Sequence, residues 1–143
     1  MPEKIPRDSR NVPMFLLDTD TVIYNMKGNL NVQKNVRRHI NDSISISVIT
    51  LMELYYGARK SQKVAINLAK IKTLEHSIET VPVGLESTEI FGLLKAQLET
   101  GGNRLDDFDL IIASCAMAHN LTLVTNNTKH FQRIDGLKLA NWA

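Results

Sequence analysis

Four acids and one amide are spaced so that they can do chemistry together. Asp18 and Asp20 follow the apolar run Met14-Phe15-Leu16-Leu17, Glu53 follows a β-rich run by a few residues, Asp109 opens a strongly apolar stretch, and Asn127 follows Leu121-Thr122-Leu123-Val124-Thr125. Carboxylates crowded into one cleft repel each other by roughly 4 kcal/mol per pair at 4 Å and an effective dielectric near 20. Either their pKa values rise until protons are held, or a hard divalent cation binds. An oxygen-only donor set without a cysteine or histidine cluster suits Mg2+ or Mn2+. Such a cation polarises a scissile phosphate and activates a water.

The acids can meet only if the elements carrying them share an edge. Met14 to Leu17 reads as a buried strand, with Asp20 or Thr21 capping a short helix that Gly28-Asn29 ends. Asn31 to Asn41 is a second helix, and Ile44 to Ile49 a second strand, followed by a helix opening at Thr50 and ending near Gly57. Val64 to Leu74 is helical, with Ile71 and Leu74 on its apolar stripe. Ile78 to Val83 is a short strand that Pro82 assigns to a sheet edge, and Ser87 to Thr100 is an amphipathic helix. Leu110 to His119 is a further helix with Asn120 as a left-handed cap; Leu121 to Thr125 and Leu137 to Leu139 are the last strands.

Strands alternating with helices predict an α/β fold of three layers, α-β-α, around a mostly parallel sheet of four to five strands. In such a sheet helix N-termini collect where strands end, which is where ligands bind. Asp18, Glu53 and Asp109 then project toward one edge, with Asn127 and Asp20 as further oxygen donors. Two of the acids also match helix caps: Thr50-x-x-Glu53 reads as a capping box and Asp106-x-x-Asp109 as a weaker version of the same device.

The chain has 143 residues, 43% hydrophobic and 22% charged, with a net charge of +2. Residues 14–143 suit a single domain, and Met1 to Pro13, polar with mixed charge, reads as a flexible N-terminal extension. No apolar run approaches a membrane span, and a cytoplasmic protein is expected. The lone Cys115 lies in an apolar helical pattern and reads as core. Net charge this small grips no polyanion diffusely, so any nucleic-acid contact needs clustered bases such as Arg37, Arg38, Arg59, Lys60 and Lys63; Arg104, Lys129 and His130 flank the acid edge.

In Leu16-Leu17-Asp18-Thr19-Asp20, Thr50-x-x-Glu53-Leu54, Asp106-Asp107-Phe108-Asp109-x-x-Ile112-Ala113 and Leu123-Val124-Thr125-Asn126-Asn127 with Phe131, the chain resembles the PIN-domain ribonucleases, and within them the VapC toxins of bacterial toxin–antitoxin pairs. The resemblance spans Met14 to Trp142. It implies that Asp18, Glu53 and Asp109 are the metal-binding catalytic acids of a Mg2+-dependent endoribonuclease. Many relatives have a fourth acid where Asn127 stands, and often Asn where Asp20 stands. The likeness further implies structured RNA as substrate, tRNA among the choices, a VapB-type antitoxin and a homodimer; the apolar stripe with Ile71 and Leu74 is a candidate for the surface that a dimer would bury. Asp18-Thr19-Asp20-Thr21-Val22 also fits the opening of haloacid-dehalogenase-type phosphatases, with Asp18 as nucleophile, and receiver-like Mg2+-binding signalling modules gather acids after a first strand.

Overall fold

The computed structural model describes residues 14–143; the N-terminal extension expected for Met1 to Pro13 lies outside the described residues. Five strands form one sheet in the order β3-β2-β1-β4-β5: β1 Met14–Leu17, β2 Ser43–Ser47, β3 Glu79–Val81, β4 Thr122–Val124 and β5 Leu139–Ala140. Every neighbouring pair is parallel. The three-layer α/β expectation holds, and β3, ahead of Pro82, is an edge strand.

Alternation along each strand divides the apolar side chains between two cores. Leu16 and Leu123 face one core with Leu94, Leu98, Leu110, Ile112, Cys115 and Phe131, from α5 (Leu85–Thr100), α6 (Asp107–Ala118) and α7 (Thr128–Phe131). Phe15, Leu17, Ile46 and Val124 face the other, covered by α1 (Thr19–Met26), α2 (Leu30–Arg38), α3 (Val48–Lys60) and α4 (Val64–Ser77). Because both faces are covered, even the serine face of β2 is dry: Ser45 is fully buried and donates its hydroxyl to Phe15 O at 2.9 Å. Cys115 is buried core, and Asn120 takes the left-handed conformation at φ 53°.

Several boundaries differ from expectation for identifiable reasons. Asp18, and neither Asp20 nor Thr21, caps α1. The second strand stops at Ser47, whose hydroxyl accepts from Thr50 N at 3.1 Å and so turns the β-branched Val48-Ile49 into the first turn of a helix that runs past Gly57 to Lys60. Of the stripe expected at a dimer surface, Ile71 is buried within the chain's own core, and Leu74, half-buried, packs against the α1–α4 core. Tyr55 of α3 reinforces that packing with a hydrogen bond to Glu75 of α4.

Candidate active site

Asp18 is the first residue beyond β1, and its amide still belongs to the sheet, donating to Val124 O at 2.8 Å. Its carboxylate is buried. Oδ1 accepts from Thr19 N at 2.9 Å, and Oδ2 accepts from the buried Thr125 hydroxyl at 2.8 Å. Parallel register dictates the second contact: Leu17 pairs with Val124, so the residues ending the two strands are neighbours. Burial, and then the charge of Asp20, push the Asp18 carboxyl up to about 7, against the two hydrogen bonds that pull it down; Asp109 adds to the rise.

Asp20 sits in the first turn of α1. Its Oδ2 accepts from Asn126 N at 3.1 Å and stands 3.4 Å from the same Thr125 hydroxyl. Asp109 sits in the first turn of α6, where Asp106 provides the cap by accepting from Phe108 N at 3.1 Å. Its Oδ2 lies 3.0 Å from His130 Nε2. Burial raises the Asp109 carboxyl, the His130 contact lowers it, and Asp106 and Asp20 raise it further. Asp18, Asp20 and Asp109 therefore share one electrostatic neighbourhood at the carboxyl edge of the sheet.

Glu53 approaches from the second turn of α3 but is differently engaged. Its Oε1 accepts from Thr19 Oγ1 at 2.6 Å, and Thr19 Oγ1 lies 3.0 Å from Thr50 Oγ1. The capping box at Thr50-x-x-Glu53 fails, because Ser47 caps α3 and the Glu53 carboxylate turns to Thr19; that at Asp106-x-x-Asp109 holds by half, because Asp106 does cap α6 while the Asp109 carboxylate turns to His130. Asn127 is exposed at the start of α7, with its amide donating to Thr125 Oγ1 at 3.0 Å.

Among the described residues no three His, Cys, Asp or Glu side chains stand together as an ion-holding group. In chemistry the donors nevertheless fit a hard divalent cation: they are all oxygen, and a bound positive charge would offset both the burial and the like charge of Asp20 that lift Asp18 to about 7. Asp18, Asp109 and Glu53 would hold it, with Asp20 beside them as a further oxygen donor.

The basic residues are dispersed. Lys129 is exposed on α7 beside His130, and Arg104 lines a cavity of about 280 Å3 with Lys95, Asp106 and Asp107 ahead of α6. Arg59 and Lys60 are exposed in the last turn of α3, about 9 Å along the axis from Glu53 at the usual rise per residue, with Lys60 Nζ 5.2 Å from the Tyr56 ring centroid.

The family model described as PIN domain matches residues 15–137. The chain belongs to the PIN-domain family. This PIN domain is 37% identical over 131 residues to a protein named ribonuclease VapC2 from Rickettsia felis, covering 90% of this chain and 98% of that one. It is 36% identical over 132 residues to a tRNA(fMet)-specific endonuclease VapC from Shigella flexneri, again covering 90% and 98%. Among solved structures it resembles VapBC2 from Rickettsia felis bound to a promoter DNA fragment, with a TM-score of 0.85 and 36% identity over 91% of this chain and 99% of that one. DNA-bound VapBC from Salmonella typhimurium gives 0.86 and 32% over 92% and 99%. Membership of the PIN-domain family sets aside the phosphatase and receiver alternatives.

Thr19, Thr125 and His130 are the members of this site that sequence reasoning assigned no role toward the acids. A signal existed for Thr125, a hydroxyl ending a strand that register sets beside Asp18. For His130 the sequence placed the residue beside the acid edge, but its pairing with Asp109, 21 residues away on another helix, had no signal.

Proposed function

We propose that this PIN domain is a divalent-metal-dependent endoribonuclease, the toxin half of a VapBC-type pair, that cuts structured RNA of the tRNA class. The observation that carries it is the convergence of Asp18 and Asp20 on the Thr125 hydroxyl at one sheet edge, within electrostatic reach of Asp109 on α6 and with Glu53 one hydroxyl away from the Asp18–Thr19 turn. Bound there, Mg2+ or Mn2+ supplies positive charge for the scissile phosphate and acidifies a water. Asp18, Glu53 and Asp109 serve as its catalytic ligands, with Asp20 and Asn127 as auxiliary donors. Thr125 holds the Asp18 carboxylate, and Asn126 N holds that of Asp20, so both are oriented before substrate arrives.

The names of the relatives support ribonuclease activity, and the Shigella flexneri protein's name supports tRNA. The VapBC complexes among the structural neighbours support a VapB-type antitoxin partner. Lys129 and Arg104 bind RNA phosphates beside the acids, Arg59 and Lys60 farther along α3. Residues 14–143 act as one nuclease unit, working as a homodimer in the cytoplasm. Among the described residues no helix is long and apolar enough to cross a membrane.

End-labelled initiator tRNA and an unstructured RNA, each incubated with the protein in Mg2+ or in EDTA, test this reading. Discrete Mg2+-dependent cuts in the tRNA are expected. Turnover of a generic phosphomonoester with no cleavage of either RNA would overturn it.

A further inference from the structure

Each acid of the cluster takes a donor from a single six-residue segment. Thr125 donates to Asp18, Asn126 N donates to Asp20, and His130 meets Asp109. Asp18 and Asp20 come from the junction of β1 and α1 and Asp109 from α6, about ninety residues later, so the segment from the end of β4 into α7 is the common reference of two distant parts of the chain.

His130 is firmly seated within it. Phe131, its neighbour, is 1% exposed and anchors α7 in the core, and the two rings meet edge to face at 5.4 Å and 88°. With Asp109 ionised, Nε2 carries the hydrogen and occupies Oδ2, which leaves Oδ1 for a cation.

We infer that His130 is a positioning residue for this nuclease: its Nε2–H, fixed by Phe131, holds the Asp109 carboxylate in the orientation that receives the metal. The inference rests on the metal-nuclease reading proposed above. A carboxylate ligand without such a partner rotates freely about its last torsion and gives up part of its affinity. Loss of an outer partner of this kind typically lowers metal affinity or activity by about 10–100-fold.

The test is Mn2+ binding to the full chain without RNA, measured by calorimetry or by the Mn2+ spin signal, with thermal melts alongside. His130→Ala is expected to weaken Mn2+ binding by about 10–100-fold. His130→Gln, whose amide N–H reaches about as far as Nε2, should restore most of it, whereas the shorter His130→Asn should not. Asp109→Asn serves as the reference. If Asp109→Asn weakens Mn2+ binding and His130→Ala leaves it unchanged, the positioning role is wrong while the nuclease reading stands. The role is equally overturned if Gln fails to rescue and all three His130 variants lose Mn2+ only in proportion to a fallen melting temperature. If Asp109→Asn itself leaves Mn2+ binding intact, Asp109 is no ligand and both readings fall together.

Discussion

Two histidines in this fold meet aspartates. His39 Nδ1 stands 2.7 Å from Asp42 Oδ2, and His130 Nε2 stands 3.0 Å from Asp109 Oδ2. Both histidine side chains are 24% exposed, and the aspartates are 21% and 31% exposed, so distance and burial do not tell the pairs apart. Their surroundings do. His39 ends α2, bonds only three residues ahead, and lies flat on Trp142 at 4.9 Å and 4° with Phe15 against both rings. Asp109 reaches across 21 residues to its histidine and sits among Asp106, Asp20 and Asp18. A pair surrounded by aromatic rings fastens a fold; a pair surrounded by like charge is a place where another ion is wanted.

Substitution of the aspartates should separate the two pairs most strongly. Asp109→Asn is expected to lower single-turnover RNA cleavage by roughly a thousandfold, the equivalent of several kcal/mol of metal assistance, while Asp42→Asn leaves cleavage unchanged. Equal losses in the two variants would dissolve the distinction.

The charge surrounding Asp109 should also be visible in the stability of the metal-free protein. Asp18, ordinarily ionising near 3.8, is held at about 7 by burial and by Asp20, so between these values the folded chain binds a proton that the unfolded chain has lost. Stability is full below about pH 4 and falls as pH rises through about 7, by something on the order of 4 kcal/mol. Urea midpoints in EDTA should therefore drop from acid to neutral pH, and Mg2+ should remove the slope. A midpoint that rises over this window in EDTA contradicts the crowding.

A third variant probes the bridge between the acids. Thr125→Val removes the donor to Asp18 and the acceptor for Asn127 N, and should cost about 1–3 kcal/mol in thermal or urea unfolding, with weaker Mg2+ binding. Smallest is His39→Ala: about 1 kcal/mol from the aromatic stack and the Asp42 contact, read from the melting temperature, with RNA cleavage unaffected.

Strands were legible from apolar runs, because a sheet covered on both faces needs them, and the shared acid edge followed from parallel topology alone. What escaped was set by single side-chain oxygens and by tertiary packing. Ser47 ends a strand that the β-branched Val48 and Ile49 would otherwise extend, and nothing in their intrinsic preference reveals it. Four residues at Thr128–Phe131 are too few to show a period, so α7, and with it the approach of His130 to Asp109, was invisible. The Ile71 and Leu74 stripe was correctly read as apolar, but whether it met a second copy or its own core depended on α4 lying over α3. Thr19 drawing Glu53 toward itself likewise depends on a contact across 34 residues.

The central strand β1 finds one of its two partners only near the end of the chain: the Asp18 carboxylate waits for Thr125, 107 residues later. During synthesis, every acid emerges from the ribosome before the hydroxyl, amide and imidazole that orient Asp18, Asp20 and Asp109. Pairing at such separation is also slow to form. A chain that ends before Thr125 therefore carries the carboxylates without the hydroxyl, amide and imidazole that orient them, and lacks the β4 partner of its central strand.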